Sequence, residues 1–153
     1  MSQQEKMITV SFTSHILILG YYLYHLWLMV QSGGLVSSRL FSLWALVIAT
    51  IIIVNIIGNI LTNILLAIFH AVKTQRAEEP PASEFIEDER DKLISLKGTR
   101  VTYITFSFGV LAAMLTFAFG QPPLMMFGLL ILSSIVAEIA GDISQMVLYR
   151  MGF

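Results

Sequence analysis

The hydrophobic pattern of the chain consists of four long apolar stretches separated by short polar segments. A membrane-spanning helix needs about 20 mostly apolar residues, and four segments meet that requirement. We predict spanning helices over about 8–30, 40–70, 101–119 and 124–148. The second stretch has no charged residue and is longer than a bilayer requires, so we expect it to tilt or to project past the membrane. The predicted fold class is all-α, a four-helix transmembrane bundle in a single membrane domain.

Glycine and proline mark the predicted ends of the helices. Ser32-Gly33-Gly34 ends the first span, and Gly120-Gln121-Pro122-Pro123 makes a tight turn between the third and fourth spans, because proline cannot continue a helix interior. The only sizeable polar segment is a loop over 73–98. Within it, 84–97 is expected to form a short charged helix that Gly98 ends. This helix is either a solvated or interfacial element or a docking site for a protein partner.

The distribution of basic residues predicts the orientation. Eight of the nine Lys and Arg residues lie in or beside the 73–98 loop or at the two termini, and Arg39 alone lies on the opposite side. Basic residues next to spans are retained in the cytoplasm, so both termini are predicted to be cytoplasmic. The six that belong to the loop region are Lys73, Arg76, Arg90, Lys92, Lys97 and Arg100.

Composition supports the membrane assignment and excludes several functions. Hydrophobic residues make up 56% of the 153 residues and charged residues 12%, against about 25% charged residues in soluble domains. The lipid bilayer is therefore the expected surrounding. The net charge of −1 gives no reason to expect nucleic acid as a partner. There is no cysteine, and no nucleotide-binding or hydrolase motif is present. We therefore favour a non-enzymatic protein and predict no cofactor and no metal.

Polar residues recur at helical spacing inside the predicted spans. Two carboxylates, Glu138 and Asp142, lie in the fourth span, where ionisable residues are costly and indicate a functional site by default. The second span carries a row of asparagines followed by His70. Residues predicted to share one face are Ser134, Glu138, Asp142, Gln145 and Tyr149 in the fourth span, Asn55, Asn59 and Asn63 in the second, Ser11, His15 and Tyr22 in the first, and Tyr103 and Ser107 in the third.

Depth along the helices predicts that some of these residues meet. At 1.5 Å per residue, His15, Asn63 and Asp142 lie about 10 Å from the cytoplasmic ends of their spans, and Glu138 about 15 Å. Our hypothesis is one intramembrane polar cluster of His15, Asn59, Asn63, Glu138 and Asp142. The asparagines alone can act as interhelical hydrogen-bonding groups. The carboxylates either form a structural network, handle protons or cations, or serve a catalytic or ligand-binding role.

Two further patterns are typical of membrane bundles. Tyr21, Tyr22, Tyr24 and Trp27 surround His25 and are interpreted as an aromatic belt at the outer interface. The pairs Gly109 with Ala113 and Ala137 with Gly141 have the small-xxx-small spacing that lets helices approach closely. These pairs indicate bundle formation or self-association into a homo-oligomer.

A charged motif precedes the third span. It reads Asp88-Glu89-Arg90-Asp91-Lys92-Leu93-Ile94, followed by Lys97-Gly98-Thr99-Arg100, and the chain ends Tyr149-Arg150-Met151-Gly152-Phe153. Over about the last 70 residues, the sequence resembles a family of small prokaryotic four-span membrane proteins, a domain of unknown function, with Met151 in place of an arginine. The resemblance implies a prokaryotic inner membrane and offers no functional residue to carry over.

Read physically, the motif places charged residues at the membrane surface. Arg100 is expected to reach the lipid headgroups. An Asp or Glu of the motif is expected to pair with Arg150 and hold the loop beneath the bundle. The motif residues considered as a candidate site are Asp88, Glu89, Arg90, Asp91, Lys97 and Arg100.

The sequence leaves three functions open. The first, which we favour, is a non-enzymatic membrane protein that acts through a protein partner at the 73–98 loop. The second is a small proton- or cation-coupled transporter that uses Glu138 and Asp142. The third is an intramembrane enzyme, which is least favoured because no activated nucleophile or base is evident.

Overall fold

Four α-helices make up the described part of the protein. The computed structural model describes residues 3–33, 35–74 and 89–151. The helices are α1 (Gln3–Gln31), α2 (Ser37–Thr74), α3 (Glu89–Ala118) and α4 (Pro123–Arg150). The predicted all-α class with four helices is confirmed. Three of the helices, α1, α3 and α4, are long and apolar enough to cross a membrane.

The second helix is longer than a bilayer requires, as the sequence predicted. It continues unbroken over 38 residues, which at 1.5 Å per residue is about 57 Å. Its described apolar part, Ser37–Ile53, is shorter than a span. The composition of the rest of α2 decides whether it crosses a membrane, and most of its side chains lie outside the described residues.

The helices pack in the spatial order α2, α1, α4, α3. Successive helices are antiparallel, so residues 3 and 150 lie at the same end of the bundle, which we call the termini end. The main apolar core lies where α1, α2 and α4 meet, and Tyr22, Leu40 and Ile135 are fully buried there. The third helix packs mainly on α4. The other faces of α3 lie on the surface of the protein and are available to lipid.

Glycines allow α3 and α4 to approach closely. A Cβ at Gly98 would collide with the side chain of Gln145, and one at Gly141 would collide with Thr102. A Cβ at Gly109 would collide with Ser133. Together with the buried Ala113 and Ala137, these contacts show that the small-xxx-small pairs serve packing within the chain.

Gly98 does not end a helix, so this expectation is wrong. The charged segment from Glu89 and the predicted third span form one continuous helix, α3. Within it Gly98 is fully enclosed by α4, at the point where Gln145 crosses. The glycine is therefore explained by this close approach, which requires the absence of a side chain, and not by termination of a helix.

The third helix is longer than the hydrocarbon of a bilayer. Its 30 residues span about 45 Å, against roughly 30 Å of hydrocarbon core. The apolar part, 101–118, accounts for about 27 Å. At the opposite end Gly120, with φ +81°, makes the tight turn to α4, as predicted. The excess length therefore lies at the termini end, where 89–100 projects beyond the apolar part.

Valine at Gly141 is expected to lower the free energy of unfolding by about 1–3 kcal/mol, because inserting side-chain atoms into a packed interface forces the helices apart. The matched control is Gly20→Val, since nothing lies within 4 Å of a Cβ at Gly20. The measurement is unfolding of the purified protein in mixed detergent micelles. Equal losses in the two variants would contradict the packing described here.

Candidate functional site

A buried hydrogen-bonded group joins the first and fourth helices. His15 Nδ1 lies 2.8 Å from Asp142 Oδ2. The Ser11 hydroxyl donates to the same carboxylate, at 3.3 Å from Oδ1 and 3.2 Å from Oδ2. His15 is 5% exposed and Asp142 8% exposed. We call Ser11, His15 and Asp142 the polar triplet.

The local sequence explains how the triplet forms. Ser11 and His15 are four residues apart and therefore lie one above the other on the same face of α1. Asp142 follows Gly141, whose lack of a side chain brings α4 close to α3, and Asp142 itself is turned toward α1. Further along the same interface, the buried Tyr22 hydroxyl donates to the carbonyl oxygen of Gly128 at 2.7 Å. Polar contacts at both positions therefore fix α1 against α4.

Two of the five residues in the predicted cluster are confirmed to meet, namely His15 and Asp142. Glu138 lies one turn from Asp142 along α4, and its side chain is exposed. Asn59 and Asn63 belong to α2, and their side chains lie outside the described residues, as do those of Asn55 and His70. Their part in the cluster stays a prediction.

The register between α3 and α4 shows how the triplet lies relative to α3. Gly141 faces Thr102, which places Asp142 level with the first turn of the apolar part of α3. The depth of the triplet in the bilayer stays a prediction.

The geometry of the triplet is suited to holding a proton and differs from a nucleophilic site. In a Ser-His-Asp triad the serine and the carboxylate contact opposite ring nitrogens. Here the Ser11 hydroxyl and Asp142 both approach Nδ1 of His15, at 3.5 Å and 2.8 Å, and Ser11 donates to the carboxylate. An imidazole beside a carboxylate can share, accept or release one proton. Among the described residues, no group of three or more His, Cys, Asp or Glu is arranged to hold a metal ion.

The predicted polar face of the fourth helix divides between two neighbours. Asp142 contacts α1, whereas Gln145 and Tyr149 contact α3. The Tyr149 hydroxyl donates to Asp91 Oδ1 at 2.8 Å. We call 89–100 of α3 together with 141–150 of α4 the terminal hairpin.

An acidic residue of the motif was expected to pair with Arg150. Asp91 is held by Tyr149 instead, because Gly141, Gln145 and Tyr149 follow one another at four-residue steps along the face that meets α3. Arg150 is the next residue around the helix and is exposed. Of the other motif residues, Glu89, Arg90 and Arg100 are exposed and Lys97 is half-buried, while Asp88 lies outside the described residues.

Tyr22 also departs from its predicted environment. It is fully buried, whereas Tyr21, Tyr24 and Trp27 are 41%, 58% and 56% exposed. Tyr22 therefore belongs to the interior and not to the aromatic belt. The helical spacing with Ser11 and His15 was the signal that identified its face. Ser11 was named on that face, but the sequence did not indicate that its hydroxyl joins the cluster.

No protein-family model, curated protein or solved structure matches this chain. The resemblance of the last 70 residues to a prokaryotic membrane family therefore stays a prediction.

The interaction between His15 and Asp142 can be measured with a double-mutant cycle of His15→Ala and Asp142→Ala. We expect a coupling free energy of about 0.6–1.7 kcal/mol, which is the range for polar contacts between membrane helices. The measurement is unfolding in mixed micelles. A cycle of His25→Ala with Asp142→Ala is the control and is expected near zero, because His25 lies about 15 Å further along α1. Equal coupling in both cycles would contradict a direct contact.

The contact between Tyr149 and Asp91 should protect the start of α3. In Tyr149→Phe we expect amide hydrogen exchange over 89–97 to become about fivefold faster, which corresponds to about 1 kcal/mol for one hydrogen bond. Mass spectrometry of the protein in micelles measures this. Tyr103→Phe is the control, because Tyr103 is 68% exposed. The contact would be refuted if exchange over 89–97 stayed at the wild-type rate.

Proposed function

We propose that this chain is a non-enzymatic integral membrane protein that acts by binding a protein partner at the terminal hairpin. The compartment we propose is a prokaryotic inner membrane, with both termini in the cytoplasm, as the distribution of basic residues predicts. The observation that supports the proposal is a pair of exposed leucines, Leu93 and Leu96, on the projecting part of α3. They are 54% and 67% exposed.

The position of these leucines favours a protein partner over lipid. Arg100 precedes the apolar part of α3, and charged side chains of this kind lie at the headgroups. At 1.5 Å per residue, Leu96 lies about 6 Å and Leu93 about 10 Å beyond Arg100 along the helix axis. Because α3 is one unbroken helix from Glu89 to Ala118, we place its first turns beyond the apolar layer and not in the membrane plane. In this placement the two leucines have no acyl chains to contact.

The terminal hairpin is also rigid enough to present a binding surface. Gln145 packs over Gly98 and Tyr149 holds Asp91, so α4 supports the projecting turns along their length. A surface already ordered before binding loses little conformational entropy when a partner binds.

Charge indicates the chemistry of the partner. Lys92 and Arg100 are exposed and lie at helical spacing on either side of Leu96. The surface therefore fits an apolar groove bordered by carboxylates. A helix laid into such a groove binds through residues at i, i+3, i+4 and i+7, and Leu93, Leu96 and Arg100 occupy the positions i, i+3 and i+7.

Photo-crosslinking in native membranes tests this proposal. A benzophenone amino acid at position 96 is expected to give a discrete protein adduct, whereas the same group in place of Phe108, 70% exposed within the apolar part, is expected to label lipid. Adding Leu93→Ser should lower the adduct yield at position 96 at least tenfold below saturation, since burying one leucine is worth about 1.5–3 kcal/mol.

The control for the serine substitution is Met114→Ser, because Met114 is 59% exposed on the apolar part of α3. It is expected to leave the adduct at position 96 unchanged. A crosslink only within the chain, or a yield insensitive to Leu93→Ser, would overturn the proposal.

A second candidate function is proton- or cation-coupled transport. The buried contact of His15 with Asp142 supports it, because ionisable residues inside spans often form ion pathways. Under our main proposal, proteoliposomes with the wild-type protein show no more proton or cation flux than empty vesicles. Transport is favoured instead if flux exceeds that of empty vesicles and is abolished in Glu138→Gln and Asp142→Asn.

A further inference from the structure

A groove lies between α1 and α2 at the end of the bundle opposite the chain termini. Its volume is about 580 Å³, within the range of about 300–1,000 Å³ typical of ligand sites. His25, Ser38 and Arg39 contribute polar groups to its wall, and Leu28, Leu43 and Leu46 contribute apolar ones.

The groove continues toward the middle of the bundle as an apolar cavity. This second cavity has a volume of about 320 Å³ and shares Tyr21 and Leu46 with the first. Leu17 and Val47 line it further in. We call the two together the α1–α2 groove. It is polar at its outer end and apolar along its length.

Arg39 gives the outer end of the groove a positive charge that no acidic side chain among the described residues neutralises. In the sequence no Asp or Glu lies between Lys6 and Ala77. Within the described part of the chain, the Arg39 guanidinium makes no hydrogen bond or ion pair with another side chain. The positive end of the α2 helix dipole, which begins at Ser37, lies beside it and adds to the same field.

His25 provides a second hydrogen-bonding group in a fixed position. Its ring centroid lies 4.3 Å from that of Tyr21 and 5.5 Å from that of Tyr24. These ring contacts hold the imidazole at the wall of the groove. A guanidinium and an imidazole together match the oxygens of a phosphate group, which arginine binds with two parallel hydrogen bonds.

We propose that the α1–α2 groove binds an anionic phospholipid, with its phosphate at Arg39 and His25 and one acyl chain along Leu46 toward Leu17. A free phosphate would leave the apolar cavity unused, and a neutral amphiphile would bring no negative charge to Arg39. The groove is accessible from the bilayer, since Tyr21, Leu46 and Leu17 are 41%, 47% and 69% exposed. This site is independent of the proposed partner surface, which lies at the termini end.

Lipid binding to the purified full-length protein, measured by native mass spectrometry from detergent micelles, tests the assignment. Phosphatidylglycerol is expected to bind at least fivefold more tightly than phosphatidylcholine with the same acyl chains. Arg39→Gln should remove this preference, and His25→Gln should weaken it. Arg150→Gln removes an exposed cation at the termini end and is expected to leave the preference unchanged.

A separate variant tests the apolar part of the groove. Leu46→Trp is expected to fill the cavity and to weaken the binding of both lipids. Elution of each variant at the wild-type volume in size-exclusion chromatography shows that it is folded. If Arg39→Gln does not fold, the proposal is still tested by Leu46→Trp and by the comparison of the two lipids on the wild-type protein.

Three outcomes would overturn the proposal. The first is equal affinity of the wild-type protein for the two lipids. The second is a preference for phosphatidylglycerol that Arg39→Gln leaves intact, or that Arg150→Gln removes. The third is binding of glycerol phosphate, which has no acyl chain, as tightly as the lipid, because that would identify the site as one for a free anion.

Discussion

Association of helices in lipid has no hydrophobic driving force, because lipid tails are as apolar as the side chains they would replace. Close packing at small residues and a few buried polar contacts must therefore hold this bundle together. Close packing between α3 and α4 occurs at Gly98, Gly109 and Gly141. Buried polar contacts between α1 and α4 are made by Tyr22 and the polar triplet. The fourth helix takes part in both, so the arrangement of the other helices depends on it.

The same constraint explains which parts of the structure were predictable from the sequence. Spans depend on apolar length, and turns depend on glycine and proline, so the four helices and the turn at Gly120 were found. Small-residue spacing also indicated the helix contacts. Partners within an interface were harder to predict, because a shift of one residue turns a helix by about 100° and changes the neighbour. Asp91 therefore meets Tyr149 and not Arg150.

The polar cluster shows a similar limit. Helical periodicity placed Ser11 and His15 on one face and Asp142 at a comparable level, which was enough to bring histidine and aspartate together. Periodicity also grouped Glu138 and Gln145 with Asp142, although one is exposed and the other packs on α3.

The contact between His15 and Asp142 joins residues separated by 127 positions in the chain. Translation at about 5–20 residues per second leaves His15 without this partner for on the order of ten seconds during biosynthesis. Throughout that time, of the two helices that pack on α1, only α2 is present. The arrangement of α1, α2 and α3 therefore becomes fixed only when α4 enters and joins them.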